Sequence, residues 1–364
     1  MERKVAFITN NINGLYAFRR ELVEALVAEY EVCILAPNEL RTDYFRQLGC
    51  KMMETPMDRH GVNPFHELQL LQFYKQFLRR ENPDIVFTYT IKPNVYAGMA
   101  CASLGIPYVA NVTGLGTAVE NGGLMQKITL ALYRFGLRKA QKVFFQNADN
   151  RDFLVSRGII RGAYGLLPGS GVNLIDHCYE AYPSEENGIR FLFVGRIMRD
   201  KGIEEYLTCA KRIHEEYPLC EFHIIGSYEE EKYRTQIEQF VSEGIIHYFG
   251  RQNDVHSFMK SHHVLIQPSY HEGLSNVLLE AAACGRPVIA SNIPGCRETF
   301  VEGVSGFGFE PKNSESLIRA VEKMLARTTA EREKMGKCGR QKVEREFSRQ
   351  LVIDAYIKEL QAIQ

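Results

Sequence analysis

The chain has 364 residues, 45% hydrophobic and 24% charged, with 44 Lys and Arg against 44 Asp and Glu. That length predicts two domains, each long enough to bury its own core. The zero net charge argues against a general polyanion binder, so nucleic acid is not an expected partner. Residues 1–180 carry 20 Lys and Arg against 17 Asp and Glu, a slight basic excess suited to an anionic surface. The nine Cys show no CxxC pair and no Cys/His cluster along the sequence. They read as buried small apolar residues in a reducing compartment, with no zinc site. No apolar leader follows Met1 and no apolar run is long enough to span a bilayer, so a cytoplasmic protein is expected.

Short apolar runs alternate with helical patterns along the whole chain, which predicts α/β architecture with parallel sheets. In the first half, strands are expected at 5–9, 31–36, 84–88, 108–112 and 142–146, with helices at 18–29 and 64–80. The second helix has Asn63 as its N-cap and Pro64 at its first position. Pro168, Gly169, Ser170, Gly171, Pro183, Ser184 and Gly188 then crowd one stretch. Such breakers predict a linker over 171–188 between an N-terminal domain, 1–170, and a C-terminal domain, 189–340. Strands at 190–194, 221–225, 245–249, 264–268 and 287–291 follow, with helices at 204–216, 232–241 and 275–283. The helical, charged tail, 341–364, is expected to pack back on the N-terminal domain.

Two segments carry the chemistry. Gly195 ends a strand and is followed by Arg196, Lys201 and Gly202 in a loop before a helix. A guanidinium fork, an ammonium and a helix N-terminus together can grip a diphosphate. The second segment runs from His271 through Glu272, Gly273, Leu274, Ser275 and Asn276 to Glu280. It follows a strand and opens a helix whose first amides have no helical partner and suit phosphate oxygens. Glu280 lies among Val277, Leu278, Leu279 and Ala281–Ala283, where a carboxylate needs a partner or a ligand. Glu272 and Glu280 in that setting suit sugar and ribose hydroxyls. His271 reads as a donor-facing or plain surface residue, and the His262–His263 pair suggests no third ligand, so no metal is read.

These segments resemble the retaining glycosyltransferases of family 4, which have the GT-B fold of two Rossmann-like, doubly wound domains facing across a cleft. Glu272 and Glu280 match that family's Glu-x7-Glu signature, and Gly195 to Gly202, reading G-R-x-x-x-x-K-G, resembles its strand–loop of Gly, Arg, Lys and Gly. By resemblance, Arg196 and Lys201 bind the donor diphosphate and stabilise its departure with the Gly273–Asn276 amides. Glu280 holds the ribose and Glu272 meets the transferred sugar, so Glu272, Arg196 and Lys201 form the expected catalytic set. Gly250–Arg251 falls where the family holds the base, and Gly14 lies in its first glycine loop, here with one Gly where many members have two. On the acceptor side the resemblance implies Lys92, Asn94, Thr113, Gly114 and Gly116. Position 113 is Thr where many members carry His or an acid. No metal and no cofactor are implied, and the sequence has no Asp-x-Asp pair.

The loops around Lys92 and Thr113 further resemble members that assemble capsule, O-antigen or N-glycan oligosaccharides on undecaprenyl diphosphate. That implies a UDP-sugar donor, a hexose or N-acetylhexosamine transferred, and a lipid-linked or glycan acceptor. Two alternatives stand beside it: a nucleotide-sugar epimerase of the same fold, and a non-catalytic subunit binding donor or lipid. One helical segment bears on location. Over 124–139, at about 100° per residue, Lys127, Arg134 and Arg138 share one face. Leu124, Ile128, Ala131 and Phe135 flank that stripe. The pattern fits either a solvated face of a packed helix or a helix lying in an anionic membrane surface.

Overall fold

The structure, a computed structural model, describes residues 3–55, 64–115, 119 and 122–362. It forms two compact units, Met1–Ser170 with Val352–Gln364, and Gly171–Leu351.

The first unit is built on a seven-stranded parallel sheet in the order β3-β2-β1-β4-β5-β6-β7. Its strands are β1 Lys4–Ile8, β2 Glu31–Ala36, β3 Lys51–Glu54, β4 Ile85–Tyr89, β5 Tyr108–Val112, β6 Lys142–Phe145 and β7 Ala163–Leu166. The central strands are buried along nearly their whole length, as a sheet covered by helices on both faces requires. The edge strands β3 and β7 are not among those expected from the sequence. Both are four residues long and mostly solvated, so they carry no continuous apolar run. The helices are α1 Ile12–Val27, α2 Thr42–Gln47, α3 Pro64–Glu81, α4 Gly98–Leu104, α5 Gly123–Leu137 and α6 Ala148–Ser156. Helix α1 starts earlier than its apolar pattern predicts, because the Asn11 side chain caps it by accepting from the Gly14 amide at 2.8 Å. The expected cap of α3, Asn63, lies outside the described residues. A single π turn, Pro93–Ala97, leads into α4.

The second unit has a six-stranded parallel sheet in the order β10-β9-β8-β11-β12-β13. Its strands are β8 Arg190–Val194, β9 Glu221–Ile225, β10 Ile246–Tyr248, β11 Val264–Gln267, β12 Val288–Ser291 and β13 Gly306–Phe309. Its helices are α7 Ile203–Glu216, α8 Arg234–Ser242, α9 Val255–Ser261, α10 Asn276–Ala283, α11 Ser314–Leu325 and α12 Thr329–Glu346. Helix α12 opens with a reciprocal capping box between Thr328 and Glu331. The last helix, α13 Arg349–Gln361, belongs from Val352 onward to the first unit. There Val352, Ile353, Tyr356 and Leu360 are buried with Val5, Phe7 and Phe87. Each such side chain contributes about 1.5–3 kcal/mol on burial.

Residues 171–188, expected as a linker, are part of the second unit. The Val172 amide donates to Phe347 O at 2.8 Å, and the Arg349 amide to Val172 O at 3.0 Å. The buried Arg286 guanidinium donates to the carbonyls of Glu180 and Ala181 at 3.2 and 2.8 Å. Arg332 pairs with Glu185 at 2.6 Å. The Pro and Gly that suggested a linker mark an irregular strap whose backbone groups are satisfied by its own domain. Residues 341–351 of the expected tail belong to the second unit as well.

Candidate functional site

In doubly wound sheets, ligands bind beyond the strand C-termini where the strand order reverses. In the second unit that point lies between the neighbours β8 and β11. The loop after β8 carries Gly195, Arg196 and Lys201, and the loop after β11 carries Tyr270 to Ser275.

Gly202 brings these loops together. It has φ +71°, and a Cβ there would lie 2.0 Å from Pro268 O at the end of β11. Only glycine permits that backbone angle together with that approach. Beside it, the Tyr270 amide donates to Asp200 O at 2.9 Å, and the Tyr270 hydroxyl donates to the Glu205 carboxylate at 2.8 and 2.9 Å. So tied, Lys201 reaches Glu272, with Nζ to Oε1 at 2.5 Å. Gln267 Nε2 donates to the same oxygen at 3.2 Å. Both charged side chains are largely buried, at 20% and 14% exposure. An ammonium held there sits where a negative leaving group can be stabilised in place of bulk water.

Arg196 is more open and pairs with Glu229 at 3.3 Å. Gly273, Leu274, Ser275 and Asn276 form the approach to the N-terminus of α10, which Ser275 caps through the Leu278 amide; the expected free amide of Ser275 is instead spent on Gly295 O at 2.8 Å. The Asn276 Oδ1 atom is buried with no hydrogen-bond partner among the described residues, a vacancy that a bound polar group can satisfy. Glu280, at the other end of α10, retains 23% of its side-chain exposure and has His177 Nε2 at 4.0 Å. Burial raises its carboxyl to about 7, against a smaller opposing pull from Arg349. Arg251 is exposed beyond Gly250, whose carbonyl accepts from the Gly226 amide at 2.9 Å.

In the first unit the order reverses between β1 and β4. Gly14 lies inside the first turn of α1 rather than in a free loop. Lys92 is paired with Glu67 at 2.7 Å, both largely buried. Asn94, expected on the acceptor side, holds the loop from within. It is 1% exposed, its Oδ1 accepts from Thr88 Oγ1 and its Nδ2 donates to Asn111 O, both at 2.7 Å. It locks the loop after β4 to β5, since a buried amide must spend its hydrogen bonds internally. Thr113 and Gly114 are half-buried after β5, and Gly116 lies outside the described residues. The sequence gives no sign of Thr90, which ends β4 at φ +72° with its hydroxyl buried and unbonded among the described residues. A β-branched residue in that region is strained, and such strain concentrates at functional sites.

Comparison with known proteins bears on family and fold. A family model described as glycosyl transferases group 1 matches residues 179–342, and one described as glycosyl transferase 4-like matches residues 4–147. Both halves of the chain thus match glycosyltransferase models, in line with the resemblance to family 4. It is 25% identical over 340 residues to the N,N'-diacetylbacillosaminyl-diphospho-undecaprenol alpha-1,3-N-acetylgalactosaminyltransferase of Campylobacter jejuni, covering 88% of this chain and 89% of the relative. It is 26% identical over 270 residues to the UDP-Gal:alpha-D-GlcNAc-diphosphoundecaprenol alpha-1,3-galactosyltransferase of Escherichia coli, covering 69% and 68%. Among solved structures, Anabaena HepE in complex with UDP and glucose superposes with a TM-score of 0.81 at 16% identity, over 100% of each chain. Sucrose-phosphate synthase of Thermosynechococcus elongatus superposes with a TM-score of 0.77 at 21% identity, again over 100% of each. These likenesses establish the GT-B fold. The relatives are transferases and lend nothing to an epimerase. No helix among the described residues of this glycosyltransferase is long and apolar enough to cross a membrane.

Proposed function

We propose that this glycosyltransferase moves a hexose or N-acetylhexosamine from a UDP-sugar to a lipid-diphosphate-linked glycan in surface polysaccharide synthesis, with retention at the anomeric carbon and without a divalent metal. The observation that carries this reading is the convergence of the Lys201 ammonium, Glu272 and the α10 N-terminus at the strand-order reversal. In this reading Arg196, Lys201 and the N-terminus of α10 take the diphosphate charge that a metal would otherwise neutralise. Glu272 faces the oxocarbenium-like centre, Glu280 takes the ribose hydroxyls, and Arg251 lies toward the base. The names of the Campylobacter and Escherichia relatives support the acceptor class. The test is UDP release from a panel of UDP-sugars with an undecaprenyl-diphosphate-linked sugar as acceptor, with and without EDTA, and an NMR spectrum of the product. Release that survives EDTA with a retained anomer is expected. Release that needs added Mg²⁺ or Mn²⁺, or an inverted product, overturns the mechanism.

Helix α5 suits such an acceptor. Thr129, Tyr133, Gly136 and Leu137 face the core, while Leu124, Met125, Ile128 and Phe135 are exposed beside Lys127, Arg134 and Arg138. An exposed face of this make-up can lie in an anionic bilayer surface, its apolar side chains dipping between lipids. Each basic residue near the surface adds about 1 kcal/mol. Full-length protein is expected to sediment with anionic vesicles at low salt and to be released by added salt. Replacing Lys127, Arg134 and Arg138 by Gln should abolish sedimentation and leave UDP affinity unchanged. Wild-type protein that stays in the supernatant at low salt defeats the membrane reading.

A further inference from the structure

Along the sequence Cys178, Glu180 and His256 look unrelated, and no metal cluster is legible there. Folding brings them together. Cys178 Sγ lies 3.6 Å from Glu180 Oε1 and 3.7 Å from His256 Nε2, and His256 Nε2 lies 3.2 Å from Glu180 Oε1. A tetrahedral ion with zinc-like bond lengths to sulfur, nitrogen and oxygen separates its ligand atoms by roughly 3.3–3.6 Å. The three observed distances match one face of that tetrahedron. The cluster is apart from Lys201 and Glu272 in sequence, and it lies on the strap and on α9 rather than on the loops after β8 and β11.

The surroundings hold the three groups in that arrangement. Arg286 is 1% exposed and donates to Glu180 O and Ala181 O on the strap and to Met259 O and Lys260 O at the end of α9. One guanidinium thus staples the segment bearing Glu180 to the helix bearing His256. The Glu180 amide also donates to Cys284 O at 3.3 Å. His256 Nδ1 lies 3.2 Å from the buried Cys284 Sγ. A proton on Nδ1, donated to that sulfur, leaves the Nε2 lone pair directed at Cys178 and Glu180. Occupying the second ring nitrogen in this way is how metal-binding imidazoles are oriented. Lys260 pairs with Glu180 through Oε2 at 3.2 Å, which leaves Oε1 toward the cluster. Cys178 is exposed, so an ion can enter from solvent and keep its fourth position open to water.

We propose that Cys178, Glu180 and His256 bind a borderline-soft divalent cation of the zinc class. The ion would bind the Cys178 thiolate, with release of the thiol proton, together with the Glu180 carboxylate and the neutral His256 imidazole. It would tie the strap to α9 as a structural clamp, separate from the transfer chemistry.

Co²⁺ is the probe, titrated into the reduced full-length chain free of other chelators. The expected result is a thiolate-to-Co²⁺ charge-transfer band and intense visible absorption of a four-coordinate ion, saturating at one equivalent and displaced by Zn²⁺. Cys178→Ser, at an exposed position, should keep its circular dichroism and lose the charge-transfer band. Glu180→Gln and His256→Ala should weaken binding by about tenfold or more. Cys338→Ser, a half-buried control thiol elsewhere in the chain, should titrate as wild type. A wild-type protein without the band overturns the proposal, as does a band that persists in Cys178→Ser. A band lost in Cys284→Ser but not in Cys178→Ser would overturn it in favour of the neighbouring trio His177, His256 and Cys284.

Discussion

In the second unit, the loops after β8 and β11 carry Arg196, Lys201 and Glu272, fixed by Gly202, Asp200 and Tyr270. In the first unit, the loops after β1 and β4 occupy the corresponding place in a sheet of like topology and carry amides and one ion pair, Asn11, Asn94 and Lys92–Glu67. A diphosphate needs fixed positive charge, and fixed charge needs particular side chains on a particular backbone. Neutral sugar hydroxyls can be met by many polar groups on many loop shapes. The same fold therefore carries a recognisable signature in one unit and an individual surface in the other.

Breaking the charged unit should have the largest effect. Lys201→Ala is expected to lower turnover about 100-fold or more, the scale of a lost charge-stabilising group. Arg196→Ala should act in the same direction, less strongly because Arg196 is the more exposed of the two. The double variant should fall short of the product of the singles, since in the proposed mode both cations would answer one diphosphate. Single-turnover rates at saturating donor check this, and a wild-type rate in Lys201→Ala contradicts it.

The first unit should respond through stability instead. Asn94→Ala strands the Thr88 hydroxyl and Asn111 carbonyl in a buried loop and should cost about 1–3 kcal/mol. Urea midpoints would measure that loss. Calorimetry should find UDP affinity unchanged, and a lost UDP site would contradict the division of roles drawn here.

A finer test sits on Glu280. Its carboxyl is raised from the usual 4.5 to about 7 by burial, so near pH 6 it is largely protonated and would accept poorly from the ribose hydroxyls proposed for it. UDP affinity should rise between pH 6 and pH 8, by up to about tenfold if this contact is worth one charge-assisted hydrogen bond. Glu280→Gln should flatten that rise. Stability carries the opposite sign. A group with a raised folded-state pKa stabilises fully below its unfolded value and loses that contribution as pH rises through about 7. Glu280→Gln should therefore gain stability relative to wild type above pH 7 while binding UDP more weakly. Equal pH profiles for the two proteins would remove Glu280 from the donor site.

Local pattern alone gave the α/β alternation, the central strands, and the strand–helix junctions after β8 and β11 that carry Gly195–Gly202 and Glu272. Buried parallel strands are continuous apolar runs, and glycine and charged residues after such a run mark strand–helix junctions. The edge strands β3 and β7 escaped because solvated four-residue strands carry no such run. The stretch 171–188 reads as a linker because Pro and Gly mark irregular backbone, whether or not that backbone is packed, and the structure assigns it to the second unit. Only the tertiary structure decided that Arg286 binds this strap into the second unit, that Asn94 is spent on Thr88 and Asn111, and that Thr90 lies in a strained backbone region. It alone brought Cys178 to His256. Each of these depends on which distant groups a side chain meets, and local periodicity carries no record of contacts made many residues away.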